Sequence, residues 1–217
     1  MFVEMAGKRC LVVGGGKAAF EKASKLLQAG AEVVVVALEF ARDFSAIPPD
    51  ARKRLRREAR GYAPGEAGEY DFIVAASGDA EVDLRVFADA NRAGRTTNIA
   101  SLDDGGGCML GADLRRGDLV VSVSTGGASP SLAASLRDLV GETVTPWHGM
   151  LANAFGRVKA RLREGGYPVA TRRSVLRRLA APVEWSGIEA ADTVDDLEAV
   201  LWKLAEILLA GMDREAK

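Results

Sequence analysis

Three groups of residues in this chain carry the makings of a ligand or reaction site. Near the amino terminus, Gly14-Gly15-Gly16-Lys17-Ala18-Ala19 fits the pattern G-x-G-x-x-G/A. Gly14 permits a sharp turn, Gly16 has no side chain and lets a pyrophosphate approach the backbone, and small Ala19 lets a helix pack on a strand. The free N–H groups at the start of that helix then face the phosphates. This is the chemistry of a dinucleotide site, with Gly14, Gly16, Lys17 and Ala18 as its phosphate cradle. Further on, Ser124-Thr125-Gly126-Gly127-Ala128-Ser129-Pro130 sets hydroxyls and glycines ahead of a helix. It reads either as a second anion site, with Ser124, Thr125, Gly126 and Gly127 as donors to substrate carboxylates, or as a well-capped strand-to-helix turn. The third group is scattered. Glu39 stands near the place, about 20 residues past the glycines, where an acid holds the ribose hydroxyls of NAD; the alternative is an exposed loop glutamate. Ser77 follows an apolar run where a nicotinamide ribose often lies. His148 is the only histidine, and near a helix start it is either structural or a proton carrier.

The elements needed to position these groups are legible around them. Leu11 to Val13 reads as a buried strand, Ala18 to Gln28 as a helix with Ala19, Ala23, Leu26 and Leu27 on its apolar stripe, and Val33 to Val36 as a second buried strand. Gly30 ends the helix. Strand, glycine turn, helix and strand in about thirty residues make a βαβ unit. Phe72 to Ala76 and Thr97 to Ala100 are further short strands, with a helix from Ala80 to Ala93 between them and Gly94 as its stop. Alternating strands and helices imply a mostly parallel sheet, with a ligand crevice at the carboxyl ends of its strands. The basic run Arg52 to Arg60 reads as a solvated face of a short helix or an edge strand, or as a site for an acidic ligand. Ser101 to Gly107 reads as a flexible acidic loop. Leu119 to Val123 is a strand, and a helix runs from Ser131 to Val140 with Ser129 as N-cap. Beyond Pro146 the pattern is helical: Trp147 to Leu162, Arg172 to Leu179 and Val194 to Leu209, interrupted at Gly165-Gly166 and over Pro182 to Gly187.

Composition narrows the function classes. At 217 residues and 48% hydrophobic, the chain can bury a sizeable core. Its 29 basic and 30 acidic residues argue against a general nucleic-acid binder, which carries a basic excess. Cys10 and Cys108 do not make a disulfide framework, so a reducing cytoplasm is expected. No run of about 18 apolar residues predicts a membrane span, the first residues lack a leader pattern, and no resident metal site is expected.

Taken together, VVGGGKAAFEKASKLLQAGAEVVVVAL, FIVAAS, TNIAS and LVVSVSTGGASPSLAASLRDL resemble the precorrin-2 dehydrogenase family, the amino-terminal dehydrogenase/chelatase module of siroheme synthases. The resemblance covers residues 6 to 142, with a looser fit over the helical tail. It implies an α/β fold with a Rossmann-like NAD-binding domain over 1–112, a dimerisation region over 113–145 and a helical domain over 146–217. It also implies a homodimer, cofactor contacts at Lys17-Ala18 and Leu38-Glu39, and NAD-dependent oxidation of the tetrapyrrole precorrin-2 to sirohydrochlorin; Ser77 and Asn98 are further candidate cofactor contacts. Some members also insert ferrous iron. The family's fifth-strand motif is Asn, two small apolar residues and a catalytic aspartate. This chain has Asn98-Ile99-Ala100-Ser101, with Asp103 and Asp104 following. Three readings remain open at this point: a shifted loop presents Asp103 as the catalytic group beside Ser101, the step needs no aspartate, or the protein is a non-catalytic NAD- and tetrapyrrole-binding module. Chelation would need a base, for which Asp103 and His148 are the candidates.

Overall fold

The computed structural model describes residues 2–40, 44–100, 105–181, 188 and 190–215, the side chains of 45, 105 and 213–215 excepted. The chain divides into two compact units: Met1–Leu110 with Gly126–Ser129, and Gly111–Thr125 with Pro130–Lys217.

The first unit is built on a parallel sheet of β1 (Arg9–Val13), β2 (Glu32–Ala37), β3 (Leu55–Ala59), β4 (Phe72–Ala75) and β5 (Thr96–Ile99), in the order β3-β2-β1-β4-β5. Helix α1 (Lys17–Gln28) links β1 to β2, the short α2 (Pro49–Arg52) precedes β3, and α3 (Ala80–Arg92) links β4 to β5. The strands alternate their side chains between two cores, as the pleat requires. Cys10, Val12, Val33, Val35, Phe72 and Val74 face the α1 side with Ala19, Ala23, Leu26 and Leu27. Leu11, Val13, Val36, Ile73, Ala75 and Ile99 face the α3 side with Val86 and Ala90. This is the doubly wound architecture expected from the sequence. The basic run resolves as an edge strand: β3 pairs only with β2, and Arg56 and Arg57 on it are exposed.

In the second unit, β6 (Ala112–Arg116) and β7 (Leu119–Val123) form an antiparallel hairpin, followed by α4 (Pro130–Thr143), α5 (Pro146–Glu164), α6 (Val169–Leu179) and α7 (Val194–Glu215). Pro130 and Pro146 each open a helix, as their fixed φ favours. The core lies between α5, α6 and α7, where Leu151, Val158, Leu162, Val175, Leu179, Leu197 and Leu201 are buried. Arg116 fastens the hairpin to the helices: its Nε donates to the Val144 carbonyl at 3.0 Å and its guanidinium reaches the Gly141 carbonyl at 3.5 Å.

Candidate functional site

The sheet order fixes where a ligand can bind. From β1 the chain crosses to β2 on one side, while β4 lies on the other, so the carboxyl ends of β1 and β4 flank a crevice that no crossover closes. Gly14 leaves β1 at this point and Ser77 leaves β4. Both segments are pinned: the Gly14 N–H donates to the Val36 carbonyl at 2.8 Å, and the Ala76 N–H donates to the Val13 carbonyl at 2.8 Å.

The three glycines at the crevice do different work. Gly14 has φ +128°, and a Cβ there would collide with the Ala76 carbonyl. Gly15 lies so close to the Glu39 carbonyl that it too has no room for a side chain. The fold itself therefore demands glycine at both positions. Gly16 differs. Its backbone is extended, with φ −83° and ψ −172°, and a Cβ there would meet nothing within 4 Å. Among the described residues, nothing requires glycine at 16. It is also the N-cap of α1 and offers no side chain to that helix's first N–H groups, and the first turn holds no acid. An uncapped helix start beside an empty volume is what a dinucleotide pyrophosphate needs, so these residues fit the cofactor. Lys17 and Ala18, both exposed, stand at the same helix start.

The rim carries the remaining expected cofactor residues. Leu38 is 78% exposed just past β2, an apolar side chain open for a base to rest on, and Glu39 beside it is also exposed. The Ser77 hydroxyl donates to the Asp83 carboxylate at 2.6 Å, and the Ser77 N–H donates to the same oxygen at 3.0 Å. Asp83 is 1% exposed, so Ser77 is built into the start of α3. Asn98 is 3% exposed on β5, and both ends of its side chain are engaged inside the protein. Its Oδ1 accepts from Lys22 Nζ at 2.7 Å, and its Nδ2 donates to the Cys108 carbonyl at 2.6 Å.

Lys22 joins these residues at the site, and spacing alone does not mark it as functional. It lies three residues past Ala19 and four before Leu26, on the apolar stripe of α1, and a lysine on a buried stripe is the signal that marks it. Burial, followed by the charge of Lys25, pulls its ammonium below the ordinary value. Cys10 is inert by its surroundings: burial, with a smaller contribution from Asp71, pushes its thiol up to about 12.

Ser101 and Asp103, the candidate catalytic residues, lie outside the described residues. The glycines that follow them do not form an open loop. Gly106 has φ +66°, and a Cβ there would press on the Ile99 side chain, so this stretch folds back against β5. Among the substrate-binding candidates, Gly126 and Gly127 belong to the first unit and Ser124 and Thr125 to the second. His148 sits at the third position of α5 in a capping box, its Nδ1 accepting the Thr145 N–H at 3.1 Å. Among the described residues, no three His, Cys, Asp or Glu side chains group as a metal site, and no helix is long and apolar enough to cross a membrane.

Residues 1–112 match the family model described as "Putative NAD(P)-binding". The chain belongs to that NAD(P)-binding family. Its curated relatives include Siroheme synthase 2 of Aeromonas hydrophila, 30% identical over 97% of this chain and 46% of that protein. The Siroheme synthase of Chromobacterium violaceum is 34% identical over 88% of this chain and 41% of that protein. The chain thus spans about half the length of the curated relatives it matches. Among solved structures, SirC, a precorrin-2 dehydrogenase, superimposes with a TM-score of 0.73 at 21% identity, covering 95% of this chain and 98% of that one, which establishes the fold. The family resemblance read from the sequence motifs is borne out.

Proposed function

We propose that this protein is an NAD-dependent dehydrogenase that oxidises precorrin-2 to sirohydrochlorin in siroheme biosynthesis. The observation that carries the reading is Gly16: a glycine the fold does not require, at an uncapped helix start, in a chain whose relatives are named siroheme synthases. Bound NAD would supply the hydride acceptor, and the cofactor carries that chemistry. The chain's own residues bind and orient. The N–H groups at Lys17 and Ala18 hold the pyrophosphate, Leu38 supports the adenine, and Glu39 accepts from the ribose hydroxyls, which favours NAD over NADP. Ser124, Thr125 and the N–H groups of Gly126 and Gly127 are assigned to substrate carboxylates. Asp103 is assigned the proton that leaves with the hydride, with Ser101 beside it in the chain.

Incubating the protein with precorrin-2 and NAD tests this. Reduced cofactor and sirohydrochlorin should form together, and Asp103→Ala should cut turnover sharply. Binding of both ligands without turnover would instead favour the non-catalytic module, a reading that Ser101 at the family's aspartate position supports. Adding ferrous ion to the product tests iron insertion. That step needs a base for the pyrrole protons, and the Nδ1 of His148, one of the two candidates, already accepts a backbone N–H.

The assembly is proposed to be a homodimer. Leu132, Leu136 and Leu139 of α4 are 51, 39 and 60% exposed along one helical face, an apolar stripe that a second copy would cover. Leu136→Glu should yield monomers in sedimentation. A cytoplasmic location is proposed from the free thiols of Cys10 and Cys108.

A further inference from the structure

Asn98 lies between two parts of the first unit that the proposed reaction must bring into register. On one side is α1, whose start is assigned to the cofactor. On the other is the chain after β5, which carries Ser101 and Asp103 and returns at Cys108. The Asn98 side chain touches both. It accepts from Lys22 Nζ, 76 positions away in sequence, at 2.7 Å, and donates to the Cys108 carbonyl, 10 positions away, at 2.6 Å. Three further observations show that this return is built in. Cys108 and Leu110 pack against the same apolar cluster as Ala19, Ala23 and Leu26 of α1. Gly106, in a left-handed conformation, lets the chain fold closely over Ile99. Lys22 occupies a position on the buried stripe that an apolar residue would otherwise take. An ammonium is tolerated there because Asn98 satisfies it.

We propose that Asn98 is a positioning residue: through the bridge Lys22–Asn98–Cys108 it locks the chain at Cys108 to the cofactor-binding helix. This assigns Asn98 a different role from cofactor contact, because its amide oxygen and nitrogen are both engaged within the protein. Its catalytic consequence rests on the dehydrogenase reading, whereas the bridge itself does not. The amide is suited to the task. Lysine needs an acceptor and a carbonyl needs a donor, and asparagine offers both from one planar group. Aspartate could serve Lys22 but would face the Cys108 carbonyl with a second acceptor.

Asn98→Asp therefore separates the two halves of the bridge in a side chain of almost unchanged size. Its expected effect is a fall in kcat on the order of 10- to 100-fold, the scale of a displacement of about 1 Å at a reacting centre. The dissociation constant for NAD should stay within about twofold, since the Gly14–Ala18 cradle is untouched. Amide exchange at Cys108 to Leu110 should accelerate. Lys22→Met removes only the anchor on α1 and should move kcat and exchange in the same direction by less; it carries the test if the Asn98 variant does not fold. A loss of NAD affinity in Asn98→Asp with exchange unchanged would overturn the proposal and return Asn98 to cofactor contact. Unchanged kcat in both variants would overturn it as well. If the wild-type protein binds NAD but does not oxidise precorrin-2, the dehydrogenase reading fails, and exchange then decides the bridge: faster exchange at unchanged NAD affinity supports it, and unchanged exchange overturns it.

Discussion

Helices α1 and α5 begin in opposite ways. At α5, Pro146 fills the first helical position, Thr145 is the N-cap, and the ring of His148 accepts the Thr145 N–H, so the helix satisfies its own start. At α1 the N-cap is Gly16, which contributes no side chain, and no atom of the described residues would meet a side chain built there. Helix ends leave unpaired N–H groups that must be satisfied by the protein, by water or by a ligand. A helix capped from within is finished as a structural element, whereas one left bare beside a crevice is available to an anion. The single histidine, a candidate proton carrier on sequence grounds, has a structural use in which its Nδ1 must act as an acceptor.

Substitutions at the two helix starts test this contrast. The largest effect is expected next to Gly16. Gly14→Ala forces a side chain into φ +128° and against the Ala76 carbonyl, and should cost about 3 kcal/mol or more of stability in denaturant unfolding. That loss would confirm that Gly14 serves the fold. Gly16→Ser should do the reverse. Serine at the extended N-cap can bond the helix N–H groups, adding a few tenths of a kcal/mol to stability. By occupying the donors it should weaken NAD binding by about 10- to 100-fold, or about 1.4 to 2.8 kcal/mol, in a titration. At α5 the effects are smaller. His148→Ala should cost about 0.5 to 1 kcal/mol through the lost cap. His148→Gln, which can accept the same N–H, should leave stability within about 0.3 kcal/mol of the parent and turnover unchanged. A large loss of turnover in His148→Gln at unchanged stability would make the histidine a proton carrier after all.

How legible these features were in the sequence follows from how local their causes are. β1, β2 and β4 are interior parallel strands buried on both faces, and such strands read as plain apolar runs. The glycine turn is a contiguous motif between two of them. β3 was ambiguous because it is an edge strand whose charged side chains face solvent. β6 leaves little mark in the sequence: Ala112 to Arg116 is half polar, and its only cue is the Gly117-Asp118 pair that turns the hairpin. At the site, the separate roles of Gly14, Gly15 and Gly16 depend on which strand end passes nearby, and spacing does not reveal that. The Asn98 bridge was hidden for the same reason, since its partner Lys22 is on another element. The capping box at Thr145 spans only four residues, but histidine at the third helical position is not the glutamate or glutamine by which the motif is recognised.

The uncapped start of α1 is the proposed seat of the dinucleotide phosphates. NAD titration of Gly16→Asp alongside the parent, with thermal unfolding of both without ligand, tests it most directly. The aspartate side chain meets no neighbour and is a good N-cap, so the variant should unfold at or slightly above the parent's temperature. Its carboxylate would stand where the pyrophosphate should lie, and NAD binding should fall by about a thousandfold or more, roughly 4 kcal/mol. A folded Gly16→Asp protein that binds NAD as tightly as the parent would contradict the account.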